Sequence, residues 1–416
     1  MPGGSPTDPR TLFAGGPVED FLGHDPLARS LLRGITCLDP GSVVLLHGAP
    51  GSGRHQLMLR CAYFLDRDRN GIGLDQPDAL DPAWVWYNPW LFQHRGHVLS
   101  GLVITLAQFA SRGPQAMEKA REIIARLNRL KLPGQAFEGA VGTALEPGEL
   151  GPVDRVRLNF RGLVNSVRRS GTGRLVVFVA DADLLAPDLR LALLEGLRMI
   201  LEPQTEVTLV VAMGRQAAHA AVRLREGPLS EDAAHRWLAP FVDLRLNVPK
   251  VEVRRIGTVL RRYVGAHSDR ITRAFGNDAA LSLAAAAAHA PLGNPGFLQS
   301  LAKRLVLMAE FAVEIRATRE LSEAQWAWFI IAERWPTFRR LFLRGGRDRW
   351  EELRGTLGGA IDSDPTRIPS SHGSELYEHL RADPVLAAYL RLHGDGFQRD
   401  SDGIQWVDGL MRQAGL

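Results

Sequence analysis

Apolar residues are distributed along this chain in two textures. Unbroken blocks at 42–46, 84–87, 175–179 and 207–212 read as strands buried on both faces. Between them, apolar residues recur at helical spacing over 18–36, 56–64, 97–109, 114–130, 154–170, 187–201 and 216–224. The segment 241–248 alternates Val242, Leu244, Leu246 and Val248 with Asp243, Arg245 and Asn247, the pattern of a half-exposed edge strand. Strands alternating with helices predict an α/β fold, a parallel sheet covered by helices. Beyond Pro249 only helical patterns follow. The expected organisation is a flexible N-terminus at 1–15, an α/β domain at 16–249 and an all-helical C-terminal domain at 250–416. A Gly- and Pro-rich stretch at 131–152 predicts a loop.

Composition narrows the class. The 416 residues are 45% hydrophobic and 23% charged, as in folded proteins of two or three domains. Of the 50 basic residues only Lys119, Lys131, Lys250 and Lys303 are lysines, yet the net charge is just +4 and no tail concentrates it. Two cysteines, Cys37 and Cys61, are too few for a zinc cluster or a disulfide framework. The first ten residues lack the apolar core of a signal peptide. The longest uncharged stretch, 279–302, is interrupted by His289, Pro291, Gly293, Asn294 and Pro295, whereas a spanning helix needs about 20 apolar residues. No transmembrane segment and a cytoplasmic location are therefore expected.

The first candidate chemistry follows the first strand. Gly48-Ala49-Pro50-Gly51-Ser52-Gly53-Arg54-His55 has the Gly-x4-Gly frame of a phosphate-binding loop, placed between a buried strand and a helix N-terminus. In such a frame, successive backbone N–H groups point inward and cradle an anion. Hydrolysis further requires a Lys on the outer phosphates and a Ser or Thr hydroxyl on magnesium. Those positions are Arg54 and His55 here, and neither is an equivalent replacement. Glycines also serve the bare strand-to-helix turn, so phosphate binding and a purely structural role both stay open on the loop alone.

The order of motifs resembles the KAP family of P-loop NTPases, a STAND-like branch. Asp20-Phe21-Leu22-Gly23-His24 resembles the family's lead-in, and Asn88-Pro89-Trp90 its Asn-x-Trp signature after the second strand. Leu194-Glu195-Gly196-Leu197-Arg198, Val210 to Arg215, and Trp237-Leu238 with Leu246 to Pro249 resemble later core segments. Gly293-Asn294-Pro295 resembles the start of a sensor helix, and Glu333-Arg334-Trp335-Pro336 a C-terminal helix. The resemblance implies a P-loop NTPase core followed by a helical domain. It also exposes departures. Where the family's acidic motif reads Asp-Asp-Leu-Asp-Arg, this chain has Ala180-Asp181-Ala182-Asp183-Leu184, with Asp181 able to substitute after a one-residue slip. The acid after the fourth strand is Gly214, and the arginine after Asn294-Pro295 is Gly296. Phosphoryl transfer depends on positioned cations and a held metal. Their joint loss implies no catalytic residues, no resident metal and no required cofactor; the alternatives are a regulator that binds ATP or ADP without hydrolysis and a weak ATPase that uses Asp181 with water-held magnesium. A role as a scaffold or switch for a protein partner in signalling, defence or spatial organisation then follows from the resemblance.

Other constellations are weaker. His47, His55, His94, His97, His219, His235 and His289 show no metalloprotease spacing, and Ser100 and Ser166 lack a nucleophile-elbow context. Asp181 and Asp183 could pair for acid–base work or be a solvated strand end. Arginines 254, 255, 261 and 262, and 339, 340, 344, 347 and 349 beside Trp335, Phe338 and Trp350, offer a nucleic-acid surface, against which stand the interspersed Glu333, Asp348, Glu351 and Glu352. The aromatic stretch Trp326, Trp328, Phe329, Trp335, Phe338 carries a candidate partner surface at Trp335 and Phe338, set against burial in a helical core.

Overall fold

The computed structural model describes residues 20, 22–67, 70–74, 77–95, 98–110, 113–129, 151–169, 171, 173–276, 279–288, 294–344 and 375–416. The chain splits into two compact units, Met1–Pro249 and Lys250–Leu416. The N-terminal segment 1–15, most of the 131–152 stretch, His97, His289, Arg347, Arg349 and Trp350 lie outside the described residues.

The first unit is built on five parallel strands: β1 (Ser42–His47), β2 (Leu80–Tyr87), β3 (Arg174–Val179), β4 (Val207–Ala212) and β5 (Leu244–Asn247). Their order is β2-β3-β4-β1-β5. Val43 pairs with Leu209 and Leu45 with Val211 on one side of β1, and Val44 pairs with Leu244 on the other. Side chains alternate between faces, so one strand feeds two cores. Val43, Leu45, Val85, Val177 and Leu209 face helices α3 (Val98–Phe109), α4 (Gly113–Arg129), α5 (Pro152–Val167), α6 (Pro187–Ile200) and α7 (Arg215–Glu226). Val44, Leu46, Trp84, Phe178 and Val210 face α1 (Asp25–Thr36) and α2 (Arg54–Arg67). Burial on both faces explains why β1, β3 and β4 are unbroken apolar blocks.

Three elements differ from the sequence expectation. β2 begins at Leu80 and not 84, because Asp81 and Pro82 belong to it. Proline donates no ladder hydrogen bond and is tolerated on an edge strand, and the β2–β3 register shifts between Leu80 and Trp84. Fully buried Asp81 accepts from the backbone N–H of Ala83 at 2.8 Å and of Arg169 at 3.0 Å. A short helix, α8 (Glu231–Trp237), follows α7 and is capped by the Ser230 hydroxyl. The lead-in helix starts at Asp25, where the Asp20 carboxylate accepts from the N–H of His24 (2.6 Å) and Asp25 (2.9 Å). Arg60 of α2 then forks onto Asp25 (2.5 and 2.8 Å), fixing α1 against α2.

The described part of the second unit is helical: α9 (Ile256–Val264), α10 (Ser268–Phe275), α11 (Ala279–Ala288), α12 (Pro295–Glu314), α13 (Glu323–Arg334), α14 (Pro336–Arg344), α15 (Glu375–Ala382), α16 (Pro384–Arg399) and α17 (Ser401–Gln413). Helix α13 is apolar nearly all round and runs through the middle, with Trp326, Trp328, Phe329, Ile330 and Ile331 buried. The candidate partner surface is corrected here. Phe338 is 1% exposed and stacks on Phe342, while Trp335 is buried against Tyr389 and donates its Nε1–H to Asp383 at 2.7 Å. Burying such a ring is worth about 1.5–3 kcal/mol, so both serve the core. The arginine patch is likewise reduced, since Arg339 is tied to fully buried Asp408 at 2.6 Å and Arg254 to Glu252 at 2.5 Å.

Candidate functional site

The glycine turn joins β1 to α2 at the carboxyl ends of the strands, where ligands bind in open α/β sheets. Its conformation demands its residues. Gly51 and Gly53 take φ of 77° and 92°, a region side chains disfavour. A Cβ on Gly48 would overlap the Ser52 side chain. Ser52 is 8% exposed, and its hydroxyl has no hydrogen-bond partner among the described residues.

Arg54 opens α2 with its side chain 11% exposed. It does not project toward an open anion site. Its Nη2 donates to Asp183 Oδ2, and Asp183 Oδ1 accepts the backbone N–H of Gly214 at 2.7 Å. The Asp183 carbonyl accepts from Arg190 of α6 at 2.8 Å, and Arg190 also reaches the Ala217 carbonyl at 3.1 Å. Gly214 makes this closure sterically possible, since a Cβ there would stand 3.0 Å from the Gly48 carbonyl oxygen. One carboxylate thus ties together the glycine turn, the end of β3 and the end of β4. Arg54 Nη1 has no hydrogen-bond partner among the described residues.

A second, more open arrangement lies beside it. Ala180 is buried, and its N–H donates to Tyr87 (2.8 Å), which leaves Asp181 as the acid facing the turn. Asp181 adopts left-handed φ 54°, ψ 22°. His55 Nε2 stands 3.2 Å from Asp181 Oδ1. Asn88 Nδ2 donates to Asp181 Oδ2 at 2.7 Å, and Asn88 Oδ1 accepts the Trp90 N–H at 3.1 Å. The Asn88-Pro89-Trp90 segment therefore acts locally through Asn88, while the Trp90 ring is exposed.

An open cavity of about 1280 Å³ adjoins the turn, lined among others by His47, Pro50, Arg215, His219, Arg223 and Asn247. His47 Nδ1–H donates to the Met213 carbonyl at 2.9 Å. Burial lowers the His47 and His219 pKa values below the ordinary 6.5, and Arg215 adds to the effect on both. No sequence spacing announces these histidines, which come from β1 and α7.

A P-loop core implies a magnesium nucleotide, and the residues present do not fit that pair. Magnesium favours oxygen ligands, but the position of its usual hydroxyl holds an imidazole. The cation beside the cradle is already neutralised by Asp183. The remaining expected positions, Asn294 and Gly296, lie in the second unit, where the Asn294 side chain caps α12 by accepting from Gly296 N (2.9 Å) and Phe297 N (3.3 Å). Among the described residues no group of three or more His, Cys, Asp or Glu is placed to hold a metal, and no helix is long and apolar enough to cross a membrane.

A buried strand, a Gly-x4-Gly turn and a helix opening on it give the first unit a P-loop NTPase fold. No protein-family model matches the chain, and no curated protein does. Among solved structures, the Walker-type ATPase PABY2304 of Pyrococcus abyssi is similar at 14% identity and a TM-score of 0.33, over 84% of this chain and 91% of that one. Two variants of Thermotoga maritima RuvB match at 14% and 15% identity with TM-scores of 0.31 and 0.30, over 89% and 92% of this chain and 86% and 89% of theirs. Likeness at this level says nothing about the site.

Proposed function

We propose that the chain is a catalytically silent P-loop protein, related in organisation to the KAP and STAND-like NTPases, that serves as an interaction scaffold or switch for a protein partner. The observation that carries this reading is the Arg54–Asp183–Gly214 closure. Arg54, which replaces the lysine of an active loop, donates to an internal carboxylate, so a nucleotide would have to break a largely buried ion pair to gain it. Removing one partner from such a pair costs about 3–5 kcal/mol. His55 in place of the magnesium hydroxyl, and Gly214 and Gly296 in place of an acid and an arginine, take away further parts of phosphoryl transfer.

A second reading, a regulator that binds ATP or ADP without splitting it, is favoured by the open cavity beside the turn and by the Ser52 hydroxyl and Arg54 Nη1, which have no hydrogen-bond partner among the described residues. Thermal unfolding with millimolar ATP, ADP or GTP plus magnesium, combined with a phosphate-release assay, separates the readings. Ligand at a hundredfold over its Kd adds about 2.7 kcal/mol of stability. The scaffold reading expects no shift and no release. A shift without release selects the regulator, and turnover overturns both.

A further inference from the structure

The poor fit to magnesium is specific in its chemistry. His55 puts an imidazole nitrogen 3.2 Å from Asp181 Oδ1, at ion-pair distance. Two ligands held about 2.0–2.2 Å from one metal ion stand roughly 3.0–3.5 Å apart, so the observed spacing suits two donors sharing an ion. The surroundings hold both groups in place. Asn88 takes Asp181 Oδ2 and leaves Oδ1 facing the imidazole, and Asn88 is itself fixed by the Trp90 N–H. The His55 ring tilts against Trp86 at a centroid distance of 5.8 Å. Both side chains are reachable from solvent, at 46% and 29% exposure.

We propose that His55 and Asp181 form a two-ligand site for a borderline divalent transition ion, Zn²⁺ or Ni²⁺, in the place where a P-loop would hold magnesium. Imidazole suits these ions, whereas magnesium prefers oxygen. With only two protein donors, the other coordination positions fall to water or an external anion, so the ion exchanges freely and binds modestly. Asn88 is a positioning residue, because a partner that orients a ligating carboxylate tunes metal affinity. Occupancy would clamp the start of α2 to the end of β3. The inference stands on residues 55, 88 and 181 alone and does not depend on nucleotide binding.

Calorimetric titration of the full chain with NiCl₂, ZnCl₂ and MgCl₂ tests it. The expected result is one saturable event with Ni²⁺ or Zn²⁺ that is absent with Mg²⁺ at equal concentration. His55→Ala and Asp181→Asn should each abolish that event while circular dichroism stays unchanged, and Asn88→Ala should weaken it about tenfold. The chain carries 12 histidines and two cysteines, so the variants are the decisive arm. An event that persists unaltered in His55→Ala means an adventitious ion only and overturns the proposal, as does no event in the native chain. His55 is half exposed, so its replacement does not put folding at stake. Failure of the nucleotide titration leaves this result untouched, and the reverse also holds.

Discussion

Asp181 and Asp183 stand two residues apart after β3 and have opposite surroundings. Asp183 is 18% exposed and engaged on both oxygens, by Arg54 and by the Gly214 amide. Asp181 is 29% exposed, is held on one oxygen by Asn88 and turns the other to the half-exposed His55. Asp183 does the work of an intramolecular anion, closing the cradle and joining three strand ends. Asp181 meets neutral or partly exposed groups on both oxygens, Asn88 on one and His55 on the other. A single turn thus carries one acid closed onto its own chain and one left partly open to solvent.

The comparison can be broken in four ways. Asp183→Ala leaves the largely buried Arg54 without its partner and should cost about 3 kcal/mol in urea-induced unfolding. It should also raise affinity for inorganic pyrophosphate, read by calorimetry, and a stable variant with no gain would dismiss the closure. Gly214→Ala presses a methyl toward the Gly48 carbonyl and should cost about 1–3 kcal/mol by the same measurement. The pH dependence comes next. The folded-state pKa values of His47 and His219 lie below the unfolded value of 6.5, so the unfolded chain takes up these protons first. Their stabilising contribution is full above pH 6.5 and is lost as pH falls through the lower, folded-state values. The thermal midpoint should drop between pH 7.5 and 5.5, with a shallower fall in His47→Asn. Asp181→Asn should change stability least, by under about 1 kcal/mol, because it alters a partly exposed carboxylate–imidazole contact. A loss equal to that of Asp183→Ala would erase the distinction between the two acids.

Much of this was legible in the sequence, for identifiable reasons. Strands buried on both faces must be apolar throughout, so β1, β3 and β4 stood out, and the glycine turn showed itself because only glycine tolerates the φ values at 51 and 53. β2 was read short because Asp81 and Pro82 look foreign to a strand until its edge position is known. Helix α8 escaped because seven residues give too little periodicity. Trp335 and Phe338 illustrate another limit, since an aromatic run has the same appearance whether it lines a core or a surface. The Arg54–Asp183 contact joins positions 129 residues apart, and no spacing rule connects them. The ring of His55 facing Asp181 was hidden for the same reason, although each residue could be singled out alone.

The two margins of the sheet have a consequence for crowding. A bare strand margin offers a row of unpaired amides and carbonyls on which another chain can add. β2 forms one margin and carries Pro82 together with an irregular register, and β5 forms the other with only four residues, Arg245 and Asn247 among them. Neither presents a long, flat, apolar template. Copies of this molecule brought to high concentration thus find little at the sheet's borders to nucleate fibrillar growth.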